Sequence, residues 1–284
     1  MDGDRQGPLG LVKSRGIPAV LVSLAVFALT ACSSARQEAD ALAATRQLTP
    51  QVIDAGYFDL LTYVPRSWTP QAPLNVYIEG DGYAWIRRDR LSDDPTPRKP
   101  VALELAVQDR SPNVIYIARP CQYVTGQARR HCAPDYWSVA RYSEEAVAAI
   151  DQAIEHFRRL SGSGKIRLYG YSGGGTIALL VAARRKDVER VVTVAGVLDT
   201  AAWTRHHDIT PLYASFNPAD FVQALSGVPQ THFSGNDDKV VPRDVAQSYL
   251  RRFPEGQTPR LAVVPGQEHD CCWADVWPKL LSGL

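Results

Sequence analysis

The sequence predicts an α/β fold: a mostly parallel central sheet with helices on both faces. Three observations predict it. Short apolar runs recur along the chain, most of them ending at a Gly-, Pro- or Asp-containing turn. Stretches with helical spacing lie between them. The runs are near-continuous in apolar residues, as strands covered by helices on both sides require. With 284 residues, 45% of them apolar, the chain is long enough for one sizeable core of this kind.

The elements follow in order. Phe58 to Val64 reads as an antiparallel edge strand. Leu74 to Ile78 is a short strand ending at Glu-Gly-Asp-Gly, and Val114 to Ala118 is another, ending at Arg-Pro. From Tyr142 to Leu160, Val147, Ile150, Ile154 and Phe157 recur at three- and four-residue steps, which places them on one helical face. A strand over Ile166–Gly170, a helix after Ser172 and strands beginning at Val191, Thr231 and Leu261 continue the series. A last helix starts near Trp273. Residues 198–228 are the least regular and read as an insertion above the sheet. Strand order stays open at this stage.

The N-terminus is of a different kind. Arg5, Lys13 and Arg15 precede the apolar run Ile17 to Cys32. A basic flank followed by a short apolar stretch is the pattern of a secretory signal peptide, and the run is shorter than the roughly 20 residues that span a bilayer. Leu29-Thr30-Ala31-Cys32 resembles the lipobox of bacterial lipoproteins, which implies that Cys32 becomes the lipidated first residue of the mature chain. Ser33 in place of aspartate implies, in that pattern, export to the outer membrane where the cell has one. The expected organisation is therefore residues 1–31 as signal peptide, 32–55 as a polar tether and 56–284 as the folded domain.

Four further cysteines remain, Cys121, Cys132, Cys271 and Cys272, and an exported chain permits disulfides among them. Joining Cys121 to Cys132 would force the adjacent Cys271 and Cys272 together, a strained arrangement. Two bonds between the segments, or one bond and two free thiols, are the expectation. Metal binding finds no support, since no Cys-x-x-Cys spacing occurs and the histidines are scattered. The net charge of +1 and the lack of a basic stripe argue against nucleic acid.

The chemistry centres on Gly170-Tyr171-Ser172-Gly173-Gly174. A serine between a strand and a helix, with glycines two residues to either side, fits the sharp turn that exposes a nucleophile. The helix that follows offers free N–H groups and a favourable dipole to a developing anion. A serine hydroxyl needs a base to take its proton and an acid to orient that base. Asp238 follows the strand ending at Gly235, and His269 follows the strand ending at Pro265.

The chain order Ser172, Asp238, His269, together with Gly235 to Pro242, resembles the α/β-hydrolase superfamily from about Phe58 to the C-terminus. The resemblance implies a Ser-His-Asp triad and an oxyanion hole formed by the N–H groups of Gly173 and Asp81. Glu79 stands where many relatives carry histidine, and Arg87, Arg88 and Arg119 are its candidate partners. Asp237 is the neighbouring alternative to Asp238, and Asp199 a lesser one. His206 and His207 break the expected order, although they could line the pocket. His232 lies within a strand and reads as structural, and Asp270 as a cap for the last helix. Tyr83, Trp85, Tyr123 and Trp203 are candidates for an apolar acyl pocket.

The expected function is a membrane-anchored, exported serine hydrolase. It would cleave an ester-type bond in a small-molecule or lipid substrate through an acyl-enzyme, with no cofactor. The alternatives are a non-catalytic binding or scaffold lipoprotein on the same fold, and a translocation component that keeps residues 17–31 as a permanent anchor.

Overall fold

The computed structural model describes residues 34–284; the expected signal peptide and Cys32 lie outside the described residues. Helix α1 (Ala35–Ala44) leads into strands β1 (Leu48–Ala55) and β2 (Phe58–Pro65), which pair antiparallel around a turn at Gly56, where φ is 79°. Residues 35–55 are thus structured, which corrects the expectation of a tether over 32–55. Small residues hid the helix: Ala39 and Ala43, one turn apart, are its buried contacts. Edge strand β1 is exposed or half-buried along its length, with only its end residues Leu48 and Ala55 buried. β2 is antiparallel as expected but lies one strand in from the edge.

Strand β3 (Leu74–Ile78), the small hairpin β4 (Trp85–Arg87) and β5 (Arg90–Leu91), helix α2 (Val101–Gln108) and strand β6 (Asn113–Ile117) follow. Next come α3 (Glu144–Ser161), β7 (Ile166–Tyr171), α4 (Gly173–Ala182), β8 (Val188–Val194), α5 (Thr200–His206) and α6 (Val222–Leu225). The chain closes with β9 (Gln230–Gly235), α7 (Arg243–Leu250), β10 (Arg260–Val264) and α8 (Trp273–Ser282). Eight strands form one sheet in the order β1-β2-β6-β3-β7-β8-β9-β10, parallel from β6 onward. The hairpin β4–β5 stands apart as its own two-stranded sheet.

Alternation along the strands separates two cores. Val76, Ile78, Ile115, Ile117 and Leu168 face one layer with α3 and α4. Tyr77, Val114, Tyr116 and Tyr169 face the other, with α1, α2 and α8. The stripe Val147, Ile150, Ile154, Phe157 on α3 is fully buried; each such side chain contributes roughly 1.5–3 kcal/mol. Ser143 caps this helix by accepting the Ala146 N–H, and Gly162 ends it in the left-handed conformation at φ 64°.

Because six strands run parallel, their carboxyl ends share one edge of the sheet. The loops that leave it carry Glu79 to Tyr83, Arg119 to Tyr123, Ser172, Asp199, Asp238 and His269. Ligands in open α/β sheets bind along such an edge.

Candidate active site

Ser172 sits between β7 and α4 with φ 50° and ψ −121°, a conformation that non-glycine residues rarely adopt. Two glycines make the turn possible. A Cβ on Gly170 would run into the Gly174 backbone, and one on Gly174 into the carbonyls of Ile78 and Glu79. The turn is held by Ser172 N–H donating to Val194 O at 2.9 Å and by Ser172 O accepting from Gly175 and Val197.

His269 comes to the serine from the loop after β10. Its Nε2 lies 3.0 Å from Ser172 Oγ and its Nδ1 2.9 Å from Asp238 Oδ2. An ionised Asp238 only accepts, so Nδ1 carries the proton and Nε2 turns its lone pair to the serine hydroxyl. Asp238 Oδ1 accepts the N–H groups of Val240 and Val241, both at 2.8 Å, which locks the carboxylate in the loop after β9. Neighbouring Asp237 is exposed, and its side chain accepts only from Asn236 among the described residues. The His269 carbonyl accepts from Tyr171 Oη and from Trp273 Nε1, each at 3.0 Å.

The loop after β3 packs against the elbow. A Cβ on Gly80 would lie 3.3 Å from Ser172 Cβ, and one on Gly173 would collide with the Asp81 carboxylate. Among the described residues the Asp81 N–H makes no hydrogen bond, and the first N–H groups of α4 have no intrahelical acceptor. The Asp81 side chain is clamped. Arg119 donates to Oδ1 at 3.0 Å, and Arg141 and Tyr142 donate to Oδ2 at 2.9 and 2.8 Å. Burial alone would raise its pKa, but Arg141 and Arg119 outweigh burial and hold the carboxyl below its ordinary value. Arg119 also donates to the Arg141 carbonyl, which ties the two clamp residues together. No motif signalled Arg141 and Tyr142; only the fold brings them to Asp81.

Glu79 is not paired with an arginine, contrary to expectation. It is buried, accepts from Gly80 N–H at 2.8 Å and Ala102 N–H at 3.4 Å through Oε1, and accepts from the Tyr116 hydroxyl at 3.1 Å through Oε2. Burial pushes its carboxyl up to about 7, against the opposing pull of these donors.

A cavity of about 420 Å³ opens above Ser172 and His269. Tyr83, Trp85, Val197, Trp203, Val240 and Val241 form apolar walls, with Arg98, Lys99 and Arg141 also lining it. Tyr123, expected there, is instead buried among the core tyrosines. Neither His206 nor His207 lines the cavity; His207 Nε2 bonds the Val240 carbonyl at 2.7 Å and braces the acid loop. His232 is structural, bonded to Thr193 Oγ1 at 2.8 Å, with burial pushing its pKa down to about 3. Asp199 caps α5 and is bonded to Ala202 N–H, Asn217 and Ser248. Asp270 caps no helix: Cys272 holds the cap position of α8, and the Asp270 carbonyl accepts from Lys99.

The disulfides also differ from expectation. Cys121 pairs with Cys132, and Cys271 with Cys272. The first pair closes within one loop, where the turn at Gly126–Arg129 brings the two Cα atoms to 5.6 Å. Among the described residues no group of His, Cys, Asp and Glu forms a metal site.

Residues 121–254 match the family model of the dienelactone hydrolase family. Solved structures with the same fold include Est1E from Butyrivibrio proteoclasticus, 14% identical, covering 82% of this chain and 96% of that one at a TM-score of 0.59. An α/β serine hydrolase homologue from Coxiella burnetii is 14% identical over 82% and 94% at 0.56. The α/β-hydrolase GrgF from Penicillium sp. sh18 is 13% identical over 83% and 95% at 0.57. No curated protein matches the sequence. The chain has the α/β-hydrolase fold, and its central part, residues 121–254, resembles the dienelactone hydrolase family.

Proposed function

We propose that the protein is a serine hydrolase that cleaves ester-type bonds. The observation that carries this reading is the hydrogen-bonded series Ser172, His269, Asp238 at the floor of a cavity, with the serine on a strained elbow. Ser172 Oγ attacks the carbonyl carbon while His269 Nε2 takes its proton. Asp238 holds the imidazole tautomer and stabilises the imidazolium. The oxyanion is received by the N–H groups of Gly173 and Asp81. Two guanidiniums against the single Asp81 carboxylate leave one net positive charge beside that hole, so the acid does not repel the developing anion. His269 then returns the proton to the leaving group, and water enters by the reverse sequence to release the acyl group.

The apolar walls of Tyr83, Trp85 and Trp203 suit an acyl or aromatic group. The lipobox at Leu29 to Cys32 supports export and anchoring through acyl chains on Cys32. Several chains are needed for this, since one alone binds a membrane only marginally.

The test is a fluorophosphonate probe followed by intact mass. One adduct on the wild type and none on Ser172→Ala is the expected result. A folded wild type without adduct would remove the hydrolase reading and bring forward a binding protein on the same fold.

A further inference from the structure

We infer that the mouth of the active site is built to rest on an anionic lipid surface, with the β4–β5 hairpin as its contact. The inference rests on the lipid-anchor reading above. Two independent features of the domain carry it.

The first is where the chain enters the fold. Arg36, in the first turn of α1, donates to the Tyr123 carbonyl in the loop after the carboxyl end of β6. Tyr123 N–H in turn donates to Thr96 Oγ1 at 2.8 Å, next to Pro97 on the cavity wall. At the far end of the helix, Arg46 donates to the carbonyls of Asp109 and Ser111, just ahead of β6. α1 therefore runs from the active-site edge of the sheet to the opposite edge. Cys32 precedes Arg36 by only three intervening residues. The folded unit therefore begins at the edge that carries the cavity, and the lipid-anchor reading ties the chain to the membrane a few residues ahead of that point.

The second is the hairpin. It reads Trp85-Ile86-Arg87-Arg88-Asp89-Arg90, and all six residues are exposed, Trp85 at 42% and Ile86 at 36%. It forms its own two-stranded sheet at the mouth: Trp85 lines the cavity, and Arg88 reaches the His207 carbonyl across the opening. Exposed Val240, at 45%, lies on the same rim, its carbonyl bonded to Trp203 and His207. Three arginines against Asp89 make the tip cationic. An indole and an aliphatic side chain beside a cationic cluster match the interface of an anionic bilayer, where aromatic rings sit at headgroup depth and guanidiniums meet phosphates. One lipid attachment plus a basic patch is also the combination that holds a peripheral protein firmly. Docked this way, the cavity opens towards lipid-borne esters.

The experiment uses the acylated full chain in vesicles of phosphatidylglycerol or phosphatidylcholine carrying brominated acyl chains. Trp85 emission is isolated by difference against Trp85→Phe. Quenching on phosphatidylglycerol is expected. It should be lost on phosphatidylcholine and lost in the combined Arg87→Gln, Arg88→Gln, Arg90→Gln variant, whose turnover of a soluble ester stays at the wild-type value. That turnover also shows that the variant is folded. Acylated protein with unquenched Trp85, or quenching that persists in the triple variant, overturns the docking. The mass of the N-terminal peptide is read separately: absence of acyl chains on Cys32 overturns the anchor reading and the orientation with it.

Discussion

Glu79→Gln should stabilise the protein above neutral pH and leave it nearly unchanged in mild acid. Glu79 is buried, and its carboxyl is displaced from 4.5 to about 7. A raised folded-state pKa means that the native state favours the protonated form. Stability is therefore full below about 4.5, where the unfolded chain is protonated too, and is lost as pH rises through about 7. The displacement corresponds to about 3 kcal/mol across that window. Glutamine preserves the contacts: its oxygen can accept the Gly80 N–H, and its amide can donate to Tyr116 Oη. Urea denaturation at pH 5 and pH 8 measures the effect. The wild type should lose about 3 kcal/mol between the two relative to the variant. Parallel pH dependence in both proteins would refute the assignment of Glu79 as a buried acid without a cationic partner.

Asp238→Asn should lower kcat about 10⁴-fold, by favouring the wrong imidazole tautomer. Asp237→Asn should change kcat less than about twofold, because the Asp237 side chain points to Asn236; steady-state turnover separates the two acids. Gly174→Ala places a methyl against the carbonyls of Ile78 and Glu79 and should cost about 3 kcal/mol or more. Gly164→Ala, with open space around it, should stay within about 0.5 kcal/mol; thermal unfolding of the two variants gives the contrast. A non-reducing peptide map should yield Cys121 linked to Cys132 and a peptide with Cys271 and Cys272 joined to each other; any peptide that crosses the two segments would contradict the pairing seen here.

The alternation of strands and helices was legible because apolar runs and helical stripes leave local marks. Ser172 was legible for the same reason, since the elbow needs glycine at fixed offsets and those offsets lie within one short stretch of chain. Asp238 and Asp237 could not be separated by sequence, because what distinguishes them is the fold: Asp238 is buried, meets His269 Nδ1 and accepts the Val240 and Val241 N–H groups, while Asp237 faces out. The clamp on Asp81 was invisible: Arg141 lies 60 residues away in the chain, and no spacing rule joins them. Helix α1 escaped notice because it packs through alanines, and β1 because an edge strand faces water along much of its length. The cysteine pairing was misjudged because a bond within one loop depends on local turns that composition does not reveal.

The hydroxyl of Tyr171 adds a constraint of its own. Tyr171 directly precedes Ser172, and its hydroxyl donates to the His269 carbonyl. β7 and β10 have two strands between them, so breathing of the sheet would ordinarily move their loops independently. Here the Tyr171–His269 bond ties the Ser172 turn and the His269 loop to one point. Under the proposed mechanism, the 3.0 Å between Ser172 Oγ and His269 Nε2 is spanned beside a second tie between the same two loops, and it does not depend on the register of the intervening strands alone.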